Sequence, residues 1–158
     1  MRDDDEWHCG VAVLQQLNGD LRLSFFLLAQ SPLFAPGQGD KVKLTVQELT
    51  DQMWSSRNFL SNVKAEDGKY LTASCGYRGA IATQEVDDEI ANIQQKMADD
   101  FVAWIPNNIK SAIITVPPEG CEKSATLVAN TTAIKGVFIR IYGQVSKMLG
   151  KLLISAQP

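Results

Sequence analysis

The chain contains 158 residues, of which 45% are hydrophobic and 21% are charged, and its formal net charge is −3. This length fits one domain, and the composition excludes a fibrous repeat and a wholly disordered chain. The small acidic charge argues against binding to a phosphate backbone, so we expect no nucleic-acid partner. The longest apolar run, residues 23–29 with one break at Ser24, is far shorter than the ~20 residues that cross a bilayer, so we expect no membrane partner.

Residues 1–15 show no regular pattern. They begin with an acidic run at residues 3–6, where a secretory signal would be basic and then apolar. The three cysteines, Cys9, Cys75 and Cys121, are an odd number without paired spacing. Reduced thiols and a cytoplasmic location are therefore the expectation.

The first predicted elements are a strand, a loop and a helix. Residues 21–29 are rich in Leu and Phe and are short enough for a buried strand. Residues 31–43 contain two prolines and two glycines spaced as in a long exposed loop. Thr45 and Glu48 form a capping box, in which each side chain bonds the other residue's backbone N–H, and this predicts a helix over residues 45–58.

The rest of the chain predicts three more strands and two more helices. Strands are expected at residues 69–77, 109–116 and 123–130. A helix beginning at Thr83 should bury Val86, Ile90, Ile93 and Met97. The last helix should begin near Thr131 or Thr132, with Ile134, Val137, Phe138, Ile141, Val145, Met148, Leu149 and Leu152 on one face and Lys135, Arg140, Lys147 and Lys151 on the other.

This order of elements predicts an α/β fold. The simplest packing is a two-layer α+β sandwich, in which a mixed sheet of about four strands carries helices on one face.

The motifs that carry chemistry are weak. The only histidine, His8, with Cys9 beside it, supplies at most two of the four ligands of a structural zinc ion, so no metal site is expected. Gly37 and Gly39 resemble the start of a dinucleotide fingerprint, but Val42 occupies its third glycine position. Acidic residues near Glu85 fan around a helix start and do not converge. No catalytic residue is assigned, and we do not expect an enzyme.

Several stretches resemble the C-terminal half of β-tubulins. The residues at 101–110, FVAWIPNNIK, are similar to FVEWIPNNVK of that family, and the WIPNN core is typical of β-chains. Further similarities are LTVQELTDQM to LTVPELTQQM, KYLTA and YRG to RYLTVAAVFRG, EVDD to EVDEQ, and SAT with NTTAI to SATFIGNSTAI. They follow the family's order from about residue 16 to about residue 148.

The resemblance implies that residues 16–158 form the intermediate domain of a β-tubulin-like protein, a structural constituent of microtubules in the cytoplasm. Its expected partners are α-tubulin and neighbouring tubulin subunits. The family binds GTP through a half that has no counterpart in this sequence, so no cofactor is expected to bind this chain alone.

The resemblance also implies which residues make contacts. Gln16, Asn18 and Asp20 would face the nucleotide held by the α partner. The residues expected on that same longitudinal face are Trp104, Pro106, Asn107, Asn108 and Lys110. Those expected in the loop that makes lateral contacts are Pro32, Leu33 and Gly37.

The sequence departs from the family in several places. About eleven residues of the pattern are missing after Arg22, and residues 34–36 replace Thr-Ser-Arg. Gly136 and Gly143 interrupt the last helix, and the sequence stops before the family's final helices. Exposed apolar surfaces are expected as a result. The alternatives are a regulatory fragment that caps α/β-tubulin assembly, a non-functional truncated paralogue, and an unrelated enzyme that reuses the two-layer fold.

Overall fold

The computed structural model describes residues 25–33 and 43–155, and it contains four strands and three α-helices within those ranges. The strands are β1 (Leu27–Ser31), β2 (Tyr70–Gly79), β3 (Ile109–Ile114) and β4 (Lys123–Thr131), and the helices are α1 (Val46–Trp54), α2 (Thr83–Lys96) and α3 (Lys135–Ser155). The predicted order of strand, helix, strand, helix, strand, strand, helix is confirmed.

The strands form one mixed sheet in the order β1-β4-β2-β3. β4 is antiparallel to both β1 and β2, whereas β2 and β3 are parallel. The pairing aligns Leu27, Ala129, Ala73 and Ile109 across one end of the sheet and Ser31, Ala125, Tyr77 and Ile113 across the other. Side chains alternate between the faces of a strand, so both rows face the same side, the core side. The predicted α/β class with a four-stranded mixed sheet is confirmed.

Helix α1 begins at the predicted capping box. The Glu48 N–H donates to Thr45 Oγ1 at 3.2 Å, and the Thr45 N–H donates to Glu48 Oε2 at 2.9 Å. Helix α1 buries Val46, Leu49 and Thr50 against the sheet. The predicted helix over residues 45–58 is shorter in the structure, because it ends at Trp54 and a 3₁₀ turn at Ser56–Asn58 follows.

One hydrogen-bonded pair ties α1 to the centre of the sheet. Thr50 Oγ1 donates to the Val46 carbonyl at 2.8 Å and lies 2.9 Å from the Tyr77 hydroxyl. The threonine hydroxyl has a single hydrogen, so Tyr77 is the donor in the second bond. Helix α2 covers the neighbouring part of the same face with Val86 and Ile93, as the spacing predicts.

Strand β1 differs from its prediction at both ends. It begins at Leu27, and Ser31, which was expected in the exposed loop, is its last and fully buried residue. The reason is a partner distant in sequence: Ser31 Oγ donates to Gln52 Oε1 of α1 at 2.9 Å, which offsets the cost of burying a hydroxyl. Residues 21–24 and 34–42 lie outside the described ranges.

Helix α3 is attached through its first turns. Thr131 Oγ1 accepts from the Ala133 N–H at 3.2 Å and caps a 3₁₀ turn at Thr132–Ile134, close to the predicted start. Val137 packs against the core, and the Phe138 ring meets the Phe25 ring edge-on with centroids 4.9 Å apart. Beyond these contacts, the apolar side of α3 is exposed. No helix in the described ranges has the length and apolar character of a bilayer span.

Candidate protein-contact surfaces

The segment between α2 and β3 forms a loop with a fixed base. Phe101 is buried and pairs with Tyr70 through a parallel bridge, and the Val102 N–H donates to the Tyr70 carbonyl at 3.1 Å. At the other end, the Ala73 N–H donates to the Asn108 carbonyl at 2.8 Å. Both ends of the loop are therefore held against β2.

The Asn108 side chain closes this loop. Its Nδ2 donates to the Val102 carbonyl at 3.0 Å, so the amide bridges the two ends of the loop from inside. Asn107 adopts a left-handed backbone with φ +51°, a conformation that asparagine tolerates better than most residues. These two neighbouring asparagines therefore shape the loop, whatever else they contact.

The tip of the loop exposes a large aromatic residue, Trp104, to solvent. Trp104 is 76% exposed, and Pro106 in the same loop and Lys110 at the start of β3 are also exposed. A tryptophan held in water on a fixed loop is typical of a protein interface, where large aromatic anchors carry much of the binding energy. We call the surface of Trp104, Pro106, Asn107 and Lys110 the Trp104 surface. The contact roles predicted for these residues and for Asn108 stay predictions.

The residues predicted for lateral contacts lie elsewhere. Pro32 is half-buried and Leu33 is 54% exposed, immediately after β1 ends at Ser31. The Trp104 surface instead adjoins the row of the sheet that contains Ala73 and Ile109. The two rows are four residues apart along the strands, or about 13 Å, so the structure places the two predicted contact groups at opposite ends of the sheet.

Four predicted contact residues cannot be placed. Gln16, Asn18, Asp20 and Gly37 all lie outside the described residues. Their predicted roles stay predictions.

The ionisable groups in the core are held in their neutral forms. Burial raises the pKa of the Cys75 thiol to about 12, so this cysteine is not a thiolate nucleophile. Burial, with a smaller contribution from Asp100, raises the pKa of Tyr70 to about 12. Burial also raises the pKa of Tyr77, whose hydroxyl is engaged with Thr50. Cys75 and Tyr70 therefore serve packing, and Tyr77 serves both packing and hydrogen bonding.

Within residues 25–33 and 43–155, neither the cavity described here nor any cluster of metal-ligating side chains indicates a catalytic or metal-binding site. A shallow cavity of about 220 Å³ is lined by Lys43, Leu44, Glu122 and Lys123. Lys43 Nζ and Glu122 Oε2 are 3.9 Å apart there, and both side chains are largely exposed. Within those ranges, no three His, Cys, Asp or Glu side chains converge on a point where a metal ion could bind.

A third surface was not assigned a role from the sequence. The apolar side of α3 includes Phe138, Tyr142, Met148 and Leu149, which are 46–75% exposed. In the sequence, this surface is recognisable from apolar residues that recur every three or four positions. That spacing indicates which side of a helix needs cover and leaves open which segment provides it.

Comparisons with known proteins agree with one another. Residues 22–142 match the family profile of the tubulin C-terminal domain. The chain is 41% identical over 144 residues to the tubulin beta-6 chain of Gossypium hirsutum, covering 84% of this chain and 32% of that protein. It has the same identity and coverage with a tubulin beta chain of Cicer arietinum. The chain thus spans about a third of the length of these relatives.

Proposed function

This chain belongs to the tubulin family, and from that membership we propose that it is a β-tubulin-like cytoskeletal protein that works by binding tubulin subunits through its exposed surfaces. The observation that carries this proposal is the Trp104 surface. It presents an exposed tryptophan on a loop whose base is fixed by hydrogen bonds to β2 and by the Asn108 amide.

A rigid loop is suited to this role. A loop whose backbone is already held at both ends loses little conformational entropy when a partner covers it, so more of the contact energy appears as affinity. Trp104 also has few contacts to lose within its own chain, because most of its surface is in solvent. Binding would bury it at no cost to the core.

The proposed partners are α-tubulin and neighbouring tubulin subunits, and the proposed location is the microtubule cytoskeleton of the cytoplasm. We propose a structural role for the sheet core, because Cys75, Tyr70 and Tyr77 are fully buried in it and accessible to no substrate. We propose that GTP is bound by full-length relatives and not by these residues alone.

The test is binding of the purified chain to intact tubulin dimer, measured by size-exclusion chromatography with light scattering and by a titration. The chain should co-migrate with tubulin. Trp104→Ala should weaken the affinity by about 30-fold, the factor that corresponds to about 2 kcal/mol at an aromatic anchor. The Tm should stay the same, because Trp104 is mostly in solvent.

Leu60→Ala is the matched control. Leu60 is 64% exposed, it lies outside both predicted contact groups, and its replacement should leave the affinity unchanged. Absence of co-migration, or equal affinities for the two variants, would refute the proposal. A polymerisation assay then separates incorporation into microtubules from inhibition at substoichiometric amounts, which would favour the capping alternative.

A further inference from the structure

One side of α3 carries apolar residues at the spacing that joins one helix to another. Phe138, Tyr142, Val145 and Leu149 follow one another at intervals of four, three and four residues, which is the repeat of a coiled coil. All four are 46–75% exposed. We call these four residues the α3 seam. A repeat of this period indicates another helix as the partner.

The positions that flank the α3 seam carry no charge. Three of them are apolar and 48–65% exposed, and the fourth is a serine: Ile139, Ile141, Met148 and Ser146. In coiled coils, the flanking positions select the partner, because like charges there repel each other. Neutral flanking positions on α3 permit a partner helix of the same sequence.

The basic residues of α3 lie away from the seam. The helix has no aspartate or glutamate. Arg140, Lys147 and Lys151 lie about 150–170° around the helix from the centre of the seam, at 100° per residue. Lys135 begins the helix, before the seam starts. Two copies of α3 can therefore meet along their seams while these three like charges stay in water. An acidic protein or an anionic membrane that faced the seam would meet no basic side chain at its flanking positions.

The composition of α3 shows that this helix needs a packing surface. Gly136, Gly143 and Gly150 recur at every seventh residue, and glycine is among the least favourable residues in a helix interior. A Cβ atom added at any of the three would meet no atom within 4 Å, so no close contact requires a glycine there. Helices in proteins are stabilised mainly by packing of their apolar side. The rest of the described chain packs on α3 at its first turns, through Val137 and Phe138.

The exposed apolar surface of α3 is large enough for a dimer interface. The α3 seam and its three apolar neighbours expose roughly 600–800 Å² per chain, taking about 150–200 Å² for each whole side chain. A standard protein interface buries about 800 Å² on each partner. We therefore expect a dimer with a Kd of about 10–100 μM, at the weak end of specific association.

We infer that two copies of this chain associate through antiparallel α3 helices, seam against seam. This orientation places Phe138 opposite Leu149 of the second copy and Tyr142 opposite Val145 of the second copy, so each aromatic ring meets a smaller aliphatic side chain. A parallel pair would instead place Tyr142 against itself and bring both sheets to the same end. Antiparallel helices also align their dipoles favourably. The dimer uses none of the residues of the Trp104 surface, and the inference does not depend on tubulin binding.

Sedimentation equilibrium of the isolated chain tests the association. Between about 1 and 300 μM, the chain should pass from monomer to dimer. Tyr142→Asp places a charge within the seam and should weaken the association at least about 30-fold. Lys147→Asp introduces the same residue on the far side of the helix and should change the Kd by no more than about twofold.

A background with a more stable helix separates loss of the interface from loss of the helix. Gly136→Ala, Gly143→Ala and Gly150→Ala fill open space and should raise the helix content measured by circular dichroism. In this background, Tyr142→Asp should keep the helix content and still lose the dimer.

Disulfide formation tests the antiparallel orientation. In a Cys9→Ser, Cys121→Ser background, the remaining Cys75 is fully buried. When the Phe138→Cys and Leu149→Cys variants are mixed, the disulfide between them should form at least about tenfold faster than the disulfide of either variant with itself, since the antiparallel pair brings these positions together.

Three results would overturn the inference. The first is a chain that stays monomeric at about 300 μM with α3 helical. The second is an equal effect of Tyr142→Asp and Lys147→Asp on the Kd, which would mean that the chains associate through another surface. The third is faster disulfide formation by each variant with itself, which would mean that the helices are parallel.

Discussion

Helices α1 and α3 are both amphipathic, yet they lie in opposite environments. Five of the nine residues of α1 are buried, and the helix is joined to the sheet by Thr50 with Tyr77 and by Gln52 with Ser31. α3 has 21 residues, and its apolar side is exposed beyond the first turns. Apolar spacing therefore identifies the side of a helix that must be buried, whereas the segment that buries it lies outside that helix.

A matched pair of leucines tests this contrast most strongly. Leu49 of α1 is fully buried, and Leu149 of α3 is 55% exposed. Leu49→Ala should lower the free energy of unfolding by about 2–5 kcal/mol, because it removes buried methyl groups and leaves a cavity. Leu149→Ala should lower it by less than about 1 kcal/mol, because more than half of the Leu149 side chain is already in solvent. Urea unfolding with circular dichroism measures both values.

Two outcomes of this comparison would be informative. Equal losses at the two positions would show that α3 is covered as completely as α1. A change in the urea m-value for either variant would indicate an altered unfolded state and would require thermal unfolding as a second measure.

The contrast also explains what the sequence could predict. The capping box of α1, the strand at residues 69–77 and the helix beginning at Thr83 depend on local patterns, and each is found close to its predicted position. The predicted end of β1 was wrong, because the burial of Ser31 depends on Gln52, which is 21 residues away in sequence. Hydrogen bonds between distant residues leave no periodic signal.

The candidate contact surface was predictable only in part. Trp104 was identified through family resemblance, and its 76% exposure is a property of the folded loop. The closure of that loop by the Asn108 amide could not be read from spacing, because it depends on the backbone path between Phe101 and β3. The exposure of α3 was equally unpredictable from the sequence, because its apolar side chains could have faced the sheet.

A smaller effect should follow from the polar link between α1 and the sheet. Thr50→Val removes the acceptor of the Tyr77 hydroxyl and leaves that buried group without its partner within the described core. The expected loss in the free energy of unfolding is about 1–3 kcal/mol. Thr50→Ser retains the hydroxyl and should lose much less. α3 has no comparable bond to the sheet among the hydrogen bonds described above.

The double variant Thr50→Val with Tyr77→Phe separates the hydrogen bond from the packing. If the bond is the cause, the double variant should be more stable than the sum of the two single losses predicts, since both polar groups are gone. Additive losses would mean that the Thr50 methyl and hydroxyl act through packing alone.

The smallest effect concerns the start of α1 and its dependence on pH. Hydrogen bonds from the backbone and then the side chain of Thr45 hold the pKa of Glu48 below its ordinary value of 4.5. A carboxyl group with a lowered pKa stabilises the fold above its unfolded-state pKa, and this contribution is lost as the pH falls through the folded-state pKa. Thr45→Ala should therefore lower the Tm by roughly 3–5 °C at pH 7, and the difference from wild type should shrink below pH 4.5.

Glu48→Gln supplies the control for this titration. Glutamine at the third helical position can still accept the Thr45 N–H bond, but it does not titrate. In that background, the Tm difference caused by Thr45→Ala should be independent of pH between 3 and 7. If the Tm difference caused by Thr45→Ala is also independent of pH in the wild-type background, the capping box stabilises α1 through neutral hydrogen bonds. The charge of Glu48 would then contribute nothing to the attachment of α1 to the sheet, the feature that distinguishes α1 from α3.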